Sequence, residues 1–320
     1  MLVAATFLTV HFGQWRQSWH GMTRKTRTGI SSLENIPPEN EGIFAILDFE
    51  SGRCIHQQVL DTPAGFALGE DTVYVASMYG NRVIMLDGSL RVVDAISHPL
   101  MNDLHSVCWD KGTLLVTSSG VDGILELSSN GELLWYWLAT ERGYDVSRHG
   151  QLRRLNIHRD FRSSNIGTAN QTTHVNSALP VELNGTAIIL ASLFHQGEMV
   201  SIDRASGRVT RVLAGLANPH AIRRRRHGWI VSDSRRSSVV LLQPDFWVDS
   251  MIEHDFNWVQ DAAEVDDQFM IIADANHSRL VLWNRCSSRV EGEVRYPEEW
   301  KIYQLELLDD RWRTFFTRVL

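Results

Sequence analysis

Short apolar runs recur in pairs along this 320-residue chain, each pair split by a short polar turn. Val73-Tyr74-Val75-Ala76-Ser77 leads to Val83-Ile84-Met85-Leu86-Asp87, and Leu114-Leu115-Val116-Thr117-Ser118 leads to Ile124-Leu125-Glu126-Leu127. The same grammar returns at 188–192 and 199–203, at 229–233 and 239–242, and at 270–274 and 280–283. Several second runs are followed by a turn and one more strand, as in Asp203-Arg204-Ala205-Ser206-Gly207 before Val209. With an opening strand, each unit holds four short antiparallel strands, the composition of a propeller blade.

The opening strands start near Gly65, His105, His174, His220 and Gln260, at spacings of 40, 69, 46 and 40 residues. Three of these match a blade-sized period of roughly 40–50 residues. The long one carries an insertion at about 140–171, rich in Arg, Asn and Ser. Met1 to Leu8 reads as a second strand and Gly42 to Asp48 as a third. The missing innermost strand of that unit lies at the other end of the chain, where Tyr303-Gln304-Leu305-Glu306-Leu307 echoes Val259-Gln260-Asp261-Ala262-Ala263. The expected fold is therefore an all-β, six-bladed β-propeller over residues 1–320, with the C-terminal strand closing the N-terminal blade. Closure hides the sheet edges of that blade.

A net charge of −7 gives no case for nucleic acid or an anionic membrane as partner. No stretch approaches the ~20 apolar residues of a membrane span. His11, Gln14 and Arg16 soon interrupt the apolar start of the chain, which reads as a strand rather than a signal peptide. Three scattered cysteines, Cys54, Cys108 and Cys286, suggest no disulfide framework and fit a cytoplasmic location. The sequence leaves the oligomeric state open.

His105, His174 and His220 each fall at the opening of a repeat, so a ring brings them to one register around its channel. The expected ring positions are Gln304, Gly65, His105, His174, His220 and Gln260, with Gly65 leaving the opposite side open. Three imidazoles and an open position form the catalytic pattern for zinc, and the same set also suits iron. The expected cofactor is thus a divalent metal ion on His105, His174 and His220. Asp261 and Glu264 are the candidate general bases. Asn176, two residues beyond His174, is a candidate contact to a small-molecule substrate. The insertion reads as a lid that presents Tyr144, Arg159 and Arg162 to an anionic substrate. His195 and His277 lie in strand-connecting turns, outside the channel register.

The strand endings Ser232-Asp233 and Ala273-Asp274, with Pro219-His220-Ala221-Ile222, resemble the NHL and SMP-30/gluconolactonase-like group of six-bladed propellers. The resemblance spans most of residues 60–285. The three histidine positions are also similar to those of the peptidyl-hydroxyglycine amidating lyase, whose channel zinc is held by three histidines. That likeness implies a metal site at His105, His174 and His220 and carries no reaction with it. The expected function is a metal-dependent lyase or hydrolase acting on a small polar substrate. An iron-dependent oxygenase or isomerase at the same site is one alternative, and a non-catalytic propeller binding a peptide or protein is the other.

Overall fold

The computed structural model describes residues 1–9 and 41–316. His11, Gln14, Arg16 and His20 lie outside this range. Among the described residues, six four-stranded antiparallel sheets follow one another around a ring as the blades of a β-propeller. The innermost strands are Trp300–Leu307 in blade 1, Pro63–Leu68 in blade 2 and Leu104–Asp110 in blade 3. Val175–Leu183, Pro219–Arg225 and Val259–Glu264 follow in blades 4 to 6. No helix among these residues is long and apolar enough to cross a membrane.

Burial explains the two kinds of apolar run. Middle strands such as Val73–Ser77, Gly228–Asp233 and Ser238–Leu242 are buried along their whole length, because neighbouring blades cover both faces. The outermost strand Arg289–Arg295 alternates exposed and half-buried residues, and its charges discourage pairing along the open edge.

Blade 1 is closed by the two ends of the chain, as the sequence suggests. Strand Leu2–Thr9 pairs with Glu41–Asp48 on one side and with Trp300–Leu307 on the other, placing Ala5 opposite Leu305. The Gln304 amide then imitates a strand. It accepts from Phe66 N at 3.0 Å and donates to Phe66 O at 2.7 Å, joining blade 1 to blade 2. Thr6 Oγ1 donates to Ala64 O at 2.6 Å across the same seam. Gly65 is required here, since a Cβ would come within 2.7 Å of His105 O and 2.9 Å of Gln304 Oε1. Gly65 is therefore not the open side of the ring. Its missing side chain is filled by blade 3 and by Gln304.

Inside the channel, Arg223 of blade 5 clamps two further blades. Its guanidinium meets the Asp261 carboxylate of blade 6 in a bidentate pair at 2.7 and 2.6 Å, and Glu306 of blade 1 at 2.6 Å. It also donates to Leu305 O, while Leu305 N donates to Asp261 at 2.9 Å. Burial works against the charged guanidinium, but Asp261 and Glu306 outweigh it and raise its pKa above the ordinary value. Removing one partner of a buried pair leaves an uncompensated charge, at a cost of about 3–5 kcal/mol. Arg223→Met is therefore expected to lower the unfolding free energy by about that amount. Adding Asp261→Asn should recover part of the loss. Chemical denaturation of the two variants beside the parent protein checks both statements.

Candidate functional site

Every innermost strand from blade 2 to blade 6 opens with the same backbone device. First comes a residue in the left-handed region: Thr62 (φ 38°), Asp103 (54°), His174 (50°), Asn218 (57°) or Trp258 (68°). The next residue pairs with the end of the second strand: Pro63 with Ser77, Leu104 with Ser118, Val175 with Leu193, Pro219 with Asp233, Val259 with Asp274. The ladder then slips, and the bulge begins at Ala64, His105, Asn176, His220 and Gln260. In blade 1 the slip falls at Tyr303, between Ile302 and Gln304. Such a bulge re-aims a side chain out of the regular alternation.

His105 and His220 thus share one structural position, as expected, whereas His174 does not. His174 is the counterpart of Asp103 and Asn218, and the bulge residue of its blade is Asn176. Likewise Tyr303, not Gln304, is the bulge residue of blade 1. The offset of one place has a chemical result. Asp103 and His105 come from the two special positions of blade 3, and His174 comes from the left-handed position of blade 4. Together they offer one carboxylate oxygen and two imidazole nitrogens within 4.8 Å of one another, all from buried residues. Asp103 Oδ1 lies 3.3 Å from His105 Nε2, and Asp103 Oδ2 lies 3.9 Å from His174 Nδ1. The two imidazole centroids are 4.5 Å apart.

Neighbouring groups hold each member in place. The His174 backbone is strained for a residue with a side chain, and Asp122 of blade 3 secures it. The fully buried Asp122 carboxylate accepts from Thr172 N at 2.9 Å, Thr173 N at 2.7 Å, Thr173 Oγ1 at 3.0 Å and His174 N at 2.9 Å. Arg153 of the insertion balances its charge. The Gln171 amide then orients the site. Its oxygen accepts from His174 Nδ1, and its nitrogen donates to Asp103 Oδ2 at 2.8 Å. With the proton on Nδ1, the lone pair of His174 is on Nε2. His105 Nδ1 is engaged by Tyr303 Oη at 2.5 Å, which turns its Nε2 towards Asp103.

The group borders a cavity of about 400 Å³ at the end of the channel where the innermost strands begin. Phe194, Trp258, Met78 and Lys301 contribute to its wall. A second cavity of about 420 Å³ lies towards the other end, and His105, His220, Gln260 and Tyr303 line both. His220 faces the first cavity between Phe194 and Trp258, with ring centroids at 5.3 and 5.5 Å. Phe194 also packs on His174 at 4.9 Å, so an aromatic ring stands between the two histidines. The metal-capable group is therefore Asp103, His105 and His174, and His220 is not part of it.

The remaining expected residues scatter. Asn176 lines the second cavity and donates to Pro219 O at 3.3 Å. Asp261 is committed to Arg223, and Glu264 accepts from Arg226 N at 2.7 Å and pairs with Arg285 at 3.2 Å. Neither is placed as a base at the histidine cavity, because both lie further along the strand towards the opposite end. Tyr144 is half-buried against the core between blades 3 and 4. Arg162 pairs with Asp160, and Arg159 lies over the Phe161 ring. None of these three reaches the cavity; of the insertion, Thr168 does. His195, expected to be remote, packs 5.7 Å from His174 with Nε2 at 2.9 Å from Thr168 O. Burial holds its imidazole below the ordinary histidine pKa of 6.5.

No family model matches the sequence, and no curated protein matches it. Solved structures with the same fold are numerous. A protein of unknown function from Bacteroides caccae superposes with a TM-score of 0.61 at 14% identity, covering 82% of this chain and 93% of its own. A chain of a nidogen/laminin complex gives 0.58 at 9%, covering 94% and 97%. Virginiamycin B lyase from Staphylococcus aureus gives 0.51 at 9%, covering 74% and 71%. At such identities the likeness shows the propeller fold, and the narrower resemblances to the NHL/SMP-30 group and to the amidating lyase do not follow from it.

Proposed function

We propose that this propeller is a metal-dependent enzyme in which Asp103, His105 and His174 hold a divalent ion, zinc or iron, beside the channel cavity. The observation that carries the reading is the convergence of one carboxylate and two imidazoles within 4.8 Å in buried surroundings. Two histidines and a carboxylate suit catalytic zinc, and with positions left open they are also the donor set of non-haem iron. Such an ion supplies Lewis acidity or an activated water. The protein's own contribution is orientation. Gln171 fixes the His174 tautomer, Tyr303 holds the His105 ring, and Asp122 fixes the backbone at His174.

A lyase or hydrolase acting on a small polar substrate is the reaction class proposed. The cavity accepts a molecule of modest size, with Phe194 and Trp258 for apolar parts and Lys301 for a negative one. His220 serves as a substrate contact in this scheme. A lyase is among the structures of the same fold. Iron-dependent oxygenase or isomerase chemistry is the second reading, favoured by the presence of Asp103 in the donor set.

Metal content measured after purification without an affinity tag tests the site. One equivalent of zinc or iron is expected in the parent protein and in His220→Ala. Asp103→Ala, His105→Ala and His174→Ala are each expected to lose most of it, with melting temperatures of the metal-free forms little changed. Equal metal content in all the variants, or none in the parent protein, would leave a non-catalytic binding propeller as the better reading.

Acidification gives a second test. Protons compete with the ion for the imidazoles, so metal content should fall as the pH drops. The metal-free protein should behave in the same direction for a separate reason. His195 has a folded pKa below its unfolded value, so the native state binds fewer protons. Stability is then fully present above pH 6.5 and declines as the pH falls from there through the lower folded value. His195→Gln should flatten this part of the stability profile measured by thermal unfolding.

A further inference from the structure

The insertion does not bring its arginines to the histidine cavity, and three of them line a cleft of its own. This cleft, of about 280 Å³, is bordered by Arg153, Arg154, Arg159, Gln151, Asn165 and Asn170, and no carboxylate lines it. Arg153 is neutralised by Asp122 beneath it. Arg154 has no ion pair among the described residues. Arg159 rests on the Phe161 ring at 5.5 Å, and among the described residues its guanidinium reaches only the Ser164 hydroxyl, at 3.4 Å. Two cationic forks therefore border one concavity with no acid to answer them.

A second observation points the same way. Both polar atoms of the Asn165 amide, Oδ1 and Nδ2, are buried and have no hydrogen-bond partner among the described residues. Buried amides are almost always satisfied, and one that is not calls for a ligand, an ion or a water. Arginine forks match the oxygens of phosphate, and an amide N–H adds a neutral donor to them.

We propose that the cleft binds a phosphate-type oxyanion, as free phosphate or as a phosphate monoester, through Arg154, Arg159 and the Asn165 amide. The amide oxygen then accepts from a hydroxyl, either the P–OH of the singly protonated phosphate or a free hydroxyl elsewhere on the alcohol part of an ester. This site is separate from the Asp103–His105–His174 group and stands whether or not that group holds a metal.

Calorimetric titration with inorganic phosphate and with glycerol phosphate, at constant ionic strength against a chloride control, tests the proposal. Saturable one-to-one binding is expected for the parent protein and for Arg289→Gln, a control on the outermost strand of blade 6. Arg154→Gln combined with Arg159→Gln is expected to weaken it at least tenfold, with an unchanged circular dichroism spectrum. Asn165→Leu should also lose the binding, yet melt at the same temperature as the parent or higher without phosphate, because it removes an unsatisfied buried amide. Tighter binding of glycerol phosphate assigns the site to an ester, and tighter binding of inorganic phosphate assigns it to the free ion. Undiminished binding in these variants, or a response no larger than that to chloride, overturns the proposal.

Discussion

Ring closure is the constraint on which everything else rests. A propeller blade cannot bury its faces alone, so each sheet depends on a neighbour, and the last sheet must find the first. Here the two ends of the chain share a blade: Trp300–Leu307 pairs with Leu2–Thr9, and the Gln304 amide continues the pairing onto Phe66. Closure also completes the chemistry. Tyr303, brought in by that last strand, meets the His105 ring across 198 residues of sequence. Arg223 repeats the theme at the other end of the channel, tying blades 5, 6 and 1 through Asp261, Glu306 and Leu305 O.

The site follows from a second constraint, the way each innermost strand starts. A left-handed residue and a bulge two places later present a pair of side chains from each of blades 2 to 6. Blade 3 fills them with Asp103 and His105, blade 4 with His174 and Asn176, blade 5 with Asn218 and His220. Adjacent blades thereby combine unlike positions, and a carboxylate joins two imidazoles at the boundary of blades 3 and 4.

Much of this was legible in the sequence. The paired β-rich runs and the echo of 259–263 at 303–307 specify the blades and their closure, because strand length and burial on both faces write directly into apolar content. The site was legible only in part. Aligning the repeats on their histidines puts His174 beside His105. Aligning them on the apolar residue between two polar ones, Asp103-Leu104-His105, His174-Val175-Asn176 and Asn218-Pro219-His220, gives the register found in the structure. That alignment also brings out Asp103. The partners of Asp261 and Glu264 were not legible, since Arg223 comes from another blade and Arg285 from the turn after Arg279–Asn284. Nor was the place of His195, which depends on how the insertion folds back over blade 4.

The Asp122 clamp divides the long connection after blade 3 into two parts with different fates. Downstream of Thr172 the backbone is fixed by four hydrogen bonds to one carboxylate, so the path into His174 is set by blade 3 itself. Upstream, Gln171 still orients the His174 ring and Arg153 still balances Asp122, so it is the stretches on either side of Arg153, short of Gln171, that can vary with least effect on the imidazole. Such a junction acts as a graft point. It separates most of the face that the protein offers to its surroundings from the interior of the ring.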